Sequence, residues 1–208
     1  AAAAAAVVLA VATAADGASV VEPTELRYAV VANYSIEPLD VQGLFYDAAR
    51  DELLKSSGCT GQSRLERRAA ADLRVVRTLR DFDDRRFLEG VSVSHGVVYQ
   101  LTYTQRRVTL HDADTLAERG ELPYPPGVTQ GWGLCHDGDD HTGYAMFTNG
   151  SEYTMALDAA TFELVAHARV TQRGRPLPRL NAVQCPLRGL VAANVWHREY
   201  VAFYDASA

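Results

Sequence analysis

The sequence predicts an all-β chain built from about four similar units, and three observations lead there. Short runs rich in Val, Tyr, Leu, Phe and Thr, bounded by Gly, Asp and Asn, follow one another from Leu26 onward, which is strand and turn chemistry. No amphipathic stretch extends beyond about three helical turns. Two marks also recur at a nearly fixed interval. Asp112-Ala113-Asp114-Thr115-Leu116 returns as Asp158-Ala159-Ala160-Thr161-Phe162 after 46 residues, and Asp205-Ala206 follows after another 47. At the opposite end of each unit stand Gln42-Gly43-Leu44, Glu89-Gly90-Val91, Trp132-Gly133-Leu134 and Asn181-Ala182-Val183, at steps of 47, 43 and 49. A period in the forties with about four strands per unit is the mark of a β-propeller.

Taken in order, the chain opens on an Ala-, Val- and Leu-rich segment over 1–15, broken by Asp16-Gly17-Ala18-Ser19. Such a run is short of the ~20 residues that span a bilayer and matches the apolar centre of a secretory leader. Residues 1–24 are therefore expected to be a leader or anchor remnant, and 25–208 a single propeller domain. An Ala-rich tail or frayed helix is the plainer alternative. Two glycosylation acceptors, Asn33-Tyr34-Ser35 and Asn149-Gly150-Ser151, agree with a secretory route. The expected localisation is lumenal or extracellular, with membrane association only if the first segment is an uncleaved anchor. Strands are expected at 26–33, 96–104, 108–111, 144–148, 153–157, 164–170 and 190–195.

Composition narrows the function. The 208 residues are 48% hydrophobic and 22% charged, with a net charge of −6 and no basic stripe. Nucleic-acid binding needs clustered cations to displace phosphate counterions, so that class is excluded. The only lysine is Lys55. Cys59, Cys135 and Cys185 are too few and too far apart for a disulfide framework or a zinc ribbon. They read as buried small apolar side chains, with one bridge and a leftover thiol as the alternative.

The two repeating marks differ in meaning. In Asp-x-x-Thr, the Asp and Thr side chains can bond nearby backbone amides and hold a turn at a strand end. The other mark opens the first strand of each blade, the strand that lines the central channel. Gln42, Glu89, Trp132 and Asn181 should therefore meet at one mouth of that channel, where a purely structural propeller would carry small or apolar residues.

Several segments then resemble one family. Phe87-Leu88-Glu89-Gly90 with Tyr99-Gln100-Leu101-Thr102, Gly131-Trp132-Gly133-Leu134, Arg179-Leu180-Asn181 and Ala193-Asn194-Val195-Trp196 resemble the plant and bacterial type glutaminyl cyclases. Gln42-Gly43-Leu44 with Ser56-Ser57-Gly58 and Gly61-Gln62-Ser63 resembles that family's first blade. The resemblance implies a five-bladed propeller, of which about four units are visible. It implies an acyltransferase that converts the N-terminal glutamine of peptides or proteins to pyroglutamate and releases ammonia, acting as a monomer with no cofactor and no metal. Carried over by position, Glu89 is the catalytic proton shuttle. Gln42, Tyr103, Trp132, Asn181 and Trp196 bind substrate. Read without the family, Glu89 is a solvated or salt-bridged strand residue. On the same footing Trp132 and Trp196 pack between blades, and Asn181 holds a turn.

The chain departs from the family pattern at several points. Leu88 stands where Gly is usual, Tyr103 where a third pocket tryptophan is common, and Asp40-Val41 where Phe-Thr leads into Gln42. Asn181-Ala182-Val183-Gln184 replaces Asn-Glu-Leu-Glu. A Gly-Lys-x-Trp element that supplies a substrate-facing lysine is not found, and Lys55 lies in the wrong blade to replace it. These departures keep a second class open, a non-catalytic propeller that binds peptide termini or protein partners. A propeller lactonase would need a channel ring of metal-binding Asp, Asn and Glu. Cys135-His136-Asp137 is no triad, since strand neighbours point to opposite faces. The 136–141 segment reads as a polar turn, and Asp81, Asp83 and Asp84 as a solvated loop.

Overall fold

The computed structural model describes Tyr34 and residues 41–79, 85–136, 143–187 and 189–205. The chain divides into two compact units, Ala1–Pro38 and Leu39–Ala208, and every strand below belongs to the second. The expected strand at 26–33, the 1–24 segment, the first glycosylation acceptor apart from Tyr34, Asp40, the loop with Asp81, Asp83 and Asp84, and the 137–141 turn lie outside the described residues.

All described regular structure is β. The first blade is β1 (Val41–Asp47), β2 (Glu52–Ser57), β3 (Arg64–Ala69) and β4 (Val75–Leu79). The second is β5 (Leu88–Ser94), β6 (Val97–Thr102), β7 (Arg107–Asp112) and β8 (Glu118–Pro123). The third is β9 (Gly133–His136), β10 (Tyr144–Thr148), β11 (Tyr153–Asp158) and β12 (Leu164–Arg169). A short hairpin, β13 (Thr171–Gln172) with β14 (Arg175–Pro176), leads to the fourth blade. That blade has three strands, β15 (Leu180–Leu187), β16 (Leu190–Val195) and β17 (Val201–Asp205). Each sheet is an antiparallel meander in chain order, so the described residues form a four-bladed propeller arrangement. The strands expected at 144–148 and 190–195 match β10 and β16 at both ends.

The core lies between successive blades rather than inside any one. Leu54 and Leu65 of the first blade meet Leu88, Val91 and Val98 of the second. Leu101 and Val108, on the opposite face of that second sheet, meet Phe147, Leu157 and Phe162 of the third. Val170 and Cys135 meet Leu180, Val183, Val191 and Val195 of the fourth. Alternate residues of β6 thus serve two interfaces, as the period-two geometry of a strand requires. The outer strands β4 and β12 are largely exposed.

The Asp-x-x-Thr marks close the β7–β8 and β11–β12 hairpins. Asp112 Oδ1 accepts from the backbone N–H of Asp114 and Thr115 and from Thr115 Oγ1. Asp158 Oδ1 repeats the pattern with Ala160 and Thr161. These donors hold the Asp112 carboxyl down at about 2. Each turn ends on a residue in left-handed conformation, Leu116 at φ 60° and Phe162 at φ 62°. Both side chains are fully buried, so packing between blades compensates the backbone strain.

The cysteines need a correction. Cys135 of β9 and Cys185 of β15 form a disulfide that joins the inner strands of the third and fourth blades. They are not simply buried thiols. Two partners in neighbouring blades are brought within bridging reach, Cα–Cα 5.7 Å, by side-by-side packing of those strands. Cys59 is free. Thiol titration of the denatured, unreduced protein should therefore give one equivalent, rising to three after reduction. Zero before reduction would show that Cys59 is also engaged.

Candidate active site

The four inner strands β1, β5, β9 and β15 approach so closely that the residues after the candidate side chains must be small. A Cβ built on Gly43 would lie 2.8 Å from Glu89 O and Val91 N. One on Gly90 would lie 2.8–2.9 Å from Leu134 N and Trp132 O. One on Gly133 would collide with Asn181 O and lie 2.7 Å from Thr148 Oγ1. Real Cβ atoms do not approach backbone this closely. Gly43, Gly90, Gly133 and Ala182 line the narrow space between these strands. Gln42, Glu89, Trp132 and Asn181 therefore occupy one register position, one residue earlier on each strand.

Hydrogen bonds to backbone carbonyls fasten that register. Gly90 N donates to Trp132 O at 2.9 Å, joining the second blade to the third. Thr148 Oγ1 donates to Asn181 O at 2.6 Å, joining the third to the fourth. Gln184 Nε2 donates to Leu44 O at 2.5 Å, joining the fourth to the first. The carboxylate that the family usually places at Gln184 could not make this bond.

Three of the four residues sit in irregular pairing. Register shifts fall between Val41 and Gly43, between Leu88 and Val91, and between Leu180 and Val183. Gln42, Glu89 and Asn181 each fall inside one of them. A bulge interrupts the ladder and re-aims its side chain.

Glu89 is 6% exposed. No hydrogen bond or ion pair to its carboxyl occurs among the described residues, and burial alone pushes its pKa from 4.5 to about 8. A carboxyl so placed holds its proton at neutral pH and can give it up. The solvated or salt-bridged reading of Glu89 does not describe this environment. Tyr124 lies close enough for its phenol to feel the Glu89 charge. Burial first and then that charge hold the phenol neutral, and its hydroxyl donates to Thr102 O at 2.5 Å.

The two tryptophans meet edge to face at 5.3 Å and 85°. Trp196 follows β16 and is 47% exposed, so it is not ordinary packing between blades. Its other side lies 3.9 Å from the His197 ring. Gly150, at φ 80°, lies against the Trp132 ring. The turn that brings it there is held by Asn149 Oδ1, which accepts from Ser151 N and Oγ. Trp132 Nε1 is buried with no hydrogen-bond partner among the described residues. Tyr103 pairs with Phe87 at 5.9 Å. Its backbone N donates to Phe87 O and its carbonyl accepts from Gly131 N, one residue before Trp132. Lys55 is buried in an ion pair with Glu66 at 3.3 Å on the middle strands of the first blade.

A family model described as glutamine cyclotransferase matches residues 2–208. The chain belongs to the glutamine cyclotransferase family. One solved structure, Myxococcus xanthus glutaminyl cyclase, superposes on this chain with a TM-score of 0.70 at 24% identity, covering 82% of this chain and 67% of that one. The WD40 repeats of RRP9 and the structure of U3-55K give TM-scores of 0.55 and 0.54 at 8% and 9% identity. They cover 82% of this chain and 52% and 53% of theirs, and they share the propeller fold alone. No curated protein sequence matches the chain. Among the described residues, no three His, Cys, Asp or Glu side chains gather as metal ligands. Sequence reasoning did not single out Tyr124 or Gln100, although Gln100 stands inside a quoted motif. For Gln100 the available signal was a polar residue on a strand between Tyr99 and Leu101.

Proposed function

We propose that the chain cyclises N-terminal glutamine of peptides or proteins to pyroglutamate and releases ammonia, with Glu89 as proton shuttle. In that reaction the α-amine nitrogen bonds to the side-chain amide carbon, and the C–N bond to the departing ammonia breaks. The attacking nitrogen must lose a proton and the leaving nitrogen must gain one. A single carboxyl can accept the first and deliver the second, provided its pKa lies near that of the amine. Model α-amines titrate at about 7.7–8.0, and Glu89 at about 8. The burial of the Glu89 carboxyl without a hydrogen-bonding or ionic partner among the described residues, which raises its pKa into that range, is the observation that carries the reading.

The remaining residues hold the reactant. Trp132 and Trp196 supply an aromatic wall that confines a flexible glutamine side chain in a folded, reactive shape. Tyr103 adds a third aromatic face, and the Gln42 and Asn181 side chains address the substrate's polar groups. An acceptor on the substrate would also satisfy the Trp132 N–H.

A Gln-initiated dipeptide incubated with the protein should release ammonia stoichiometrically with pyroglutamate, and a chelator should leave the rate unchanged. Because one proton is shared between amine and carboxyl, kcat/KM should peak near pH 8 and fall on both sides. Binding of the dipeptide without ammonia release would establish the peptide-binding propeller instead.

A further inference from the structure

The shift in β5 places Glu89 and Gly90 opposite Leu101 alone, since Leu88 pairs with Thr102 and Val91 with Gln100. Carbonyls inside such a bulge lose their ladder partners. One side chain fills the gap. Gln100 Nε2 donates to Glu89 O at 3.0 Å, to Gly90 O at 3.3 Å and to Leu101 O at 2.9 Å. Gln100 is fully buried, and its Oε1 has no partner among the described residues. A buried amide that leaves its own acceptor unsatisfied is costly. The residues that pair at the same register in the other blades are Lys55, Phe147 and Ala193. An uncharged amide there is peculiar to the blade that carries Glu89.

We propose that Gln100 is a positioning residue of the reaction, whose side-chain amide pins the Glu89–Gly90 bulge and thereby fixes where the Glu89 carboxyl points. This rests on the reading of Glu89 as the proton shuttle. Proton transfer demands heavy-atom placement within hydrogen-bond reach, so small displacements of the carboxyl lower the rate without weakening substrate capture. A loosened bulge also admits water to a carboxyl whose pKa is raised by burial alone.

Two variants test it. Gln100→Met keeps length and unbranched shape but has no donor. Gln100→Asn keeps the amide but is one methylene short of Glu89 O. Each is assayed with a Gln-initiated dipeptide, and the Glu89 carboxyl is titrated by 13C NMR in the folded protein. The expected result is a fall in kcat of tenfold or more with KM within threefold, and a Glu89 midpoint lowered by a unit or more from about 8. Should Gln100→Met not fold, Gln100→Asn carries the test. An unmoved midpoint in a folded variant overturns the proposal whatever the melting temperature does, and so does failure of both variants to fold. Glu89→Gln is assayed beside them. If it keeps full turnover, the proton-shuttle reading falls, while the NMR midpoint still reports whether Gln100 holds the carboxyl in place.

Discussion

Glu89→Gln should lower turnover of a Gln-initiated peptide by about 10²–10⁴-fold, the usual contribution of a general acid–base group. KM should change little, because Trp132, Trp196 and Asn181 remain. The same variant has an opposite effect on stability. In the folded protein the carboxyl titrates at about 8, above its ordinary 4.5, so the folded state binds the extra proton between those values. Stability is then undiminished below about pH 4.5 and is lost as pH rises through 8. At about 1.4 kcal/mol per unit, the full loss is on the order of 5 kcal/mol. Glutamine mimics the protonated acid, so the variant should match the wild type in melting temperature below about pH 4.5, exceed it increasingly up to about pH 8, and keep that margin above it. A stability difference independent of pH would show that Glu89 is not held in its protonated form. Near-full activity would remove it from the mechanism.

What the sequence made legible follows from where its signals are local. The Asp112 and Asp158 turns are written in consecutive residues, because one carboxylate captures the N–H groups two and three positions on. The inner-strand register of Gln42, Glu89, Trp132 and Asn181 was readable because a glycine follows the first three, and blade spacing forbids a Cβ there. The bulges were not readable. They are properties of a strand pair, and Leu88-Glu89-Gly90-Val91 read alone is ordinary strand. Gln100 was missed for the same reason, since its partners are carbonyls on the neighbouring strand. The Cys135–Cys185 bridge spans 50 residues. Its signal lay in the repeat, because the two cysteines stand three and four residues after Trp132 and Asn181. The bridge therefore joins adjacent, not equivalent, register positions of the two inner strands. The aromatic pair lay between these cases. The sequence supplied Trp132 and Trp196, but packing in the core and lining a pocket differ only in exposure.

Gly133→Ala should be the most destabilising single-methyl addition at the site. Its Cβ would meet Asn181 O, Thr148 Oγ1 and Val183 N, all within 3 Å. None of these can give way cheaply. Two are backbone atoms of the adjoining inner strand, and Thr148 Oγ1 is held at 2.6 Å by its bond to Asn181 O. The disulfide at Cys135 limits how far β9 and β15 can separate. Overpacking of a tight contact costs about 1–3 kcal/mol, occasionally more. At the upper end of that range, a domain of this size should lose roughly 6–12 °C in melting temperature. The substrate side should suffer too, since the displaced carbonyl belongs to Asn181, and a rise in KM larger than the fall in kcat is expected. Ala182→Gly is the matching control. In the fourth blade a Cβ already occupies this register, so removing it should cost only the backbone entropy of a glycine, about 0.5–1 kcal/mol. If Gly133→Ala melted within a degree or two of the wild type, the inner strands would not pack at the spacing on which the shared register of the four site residues depends.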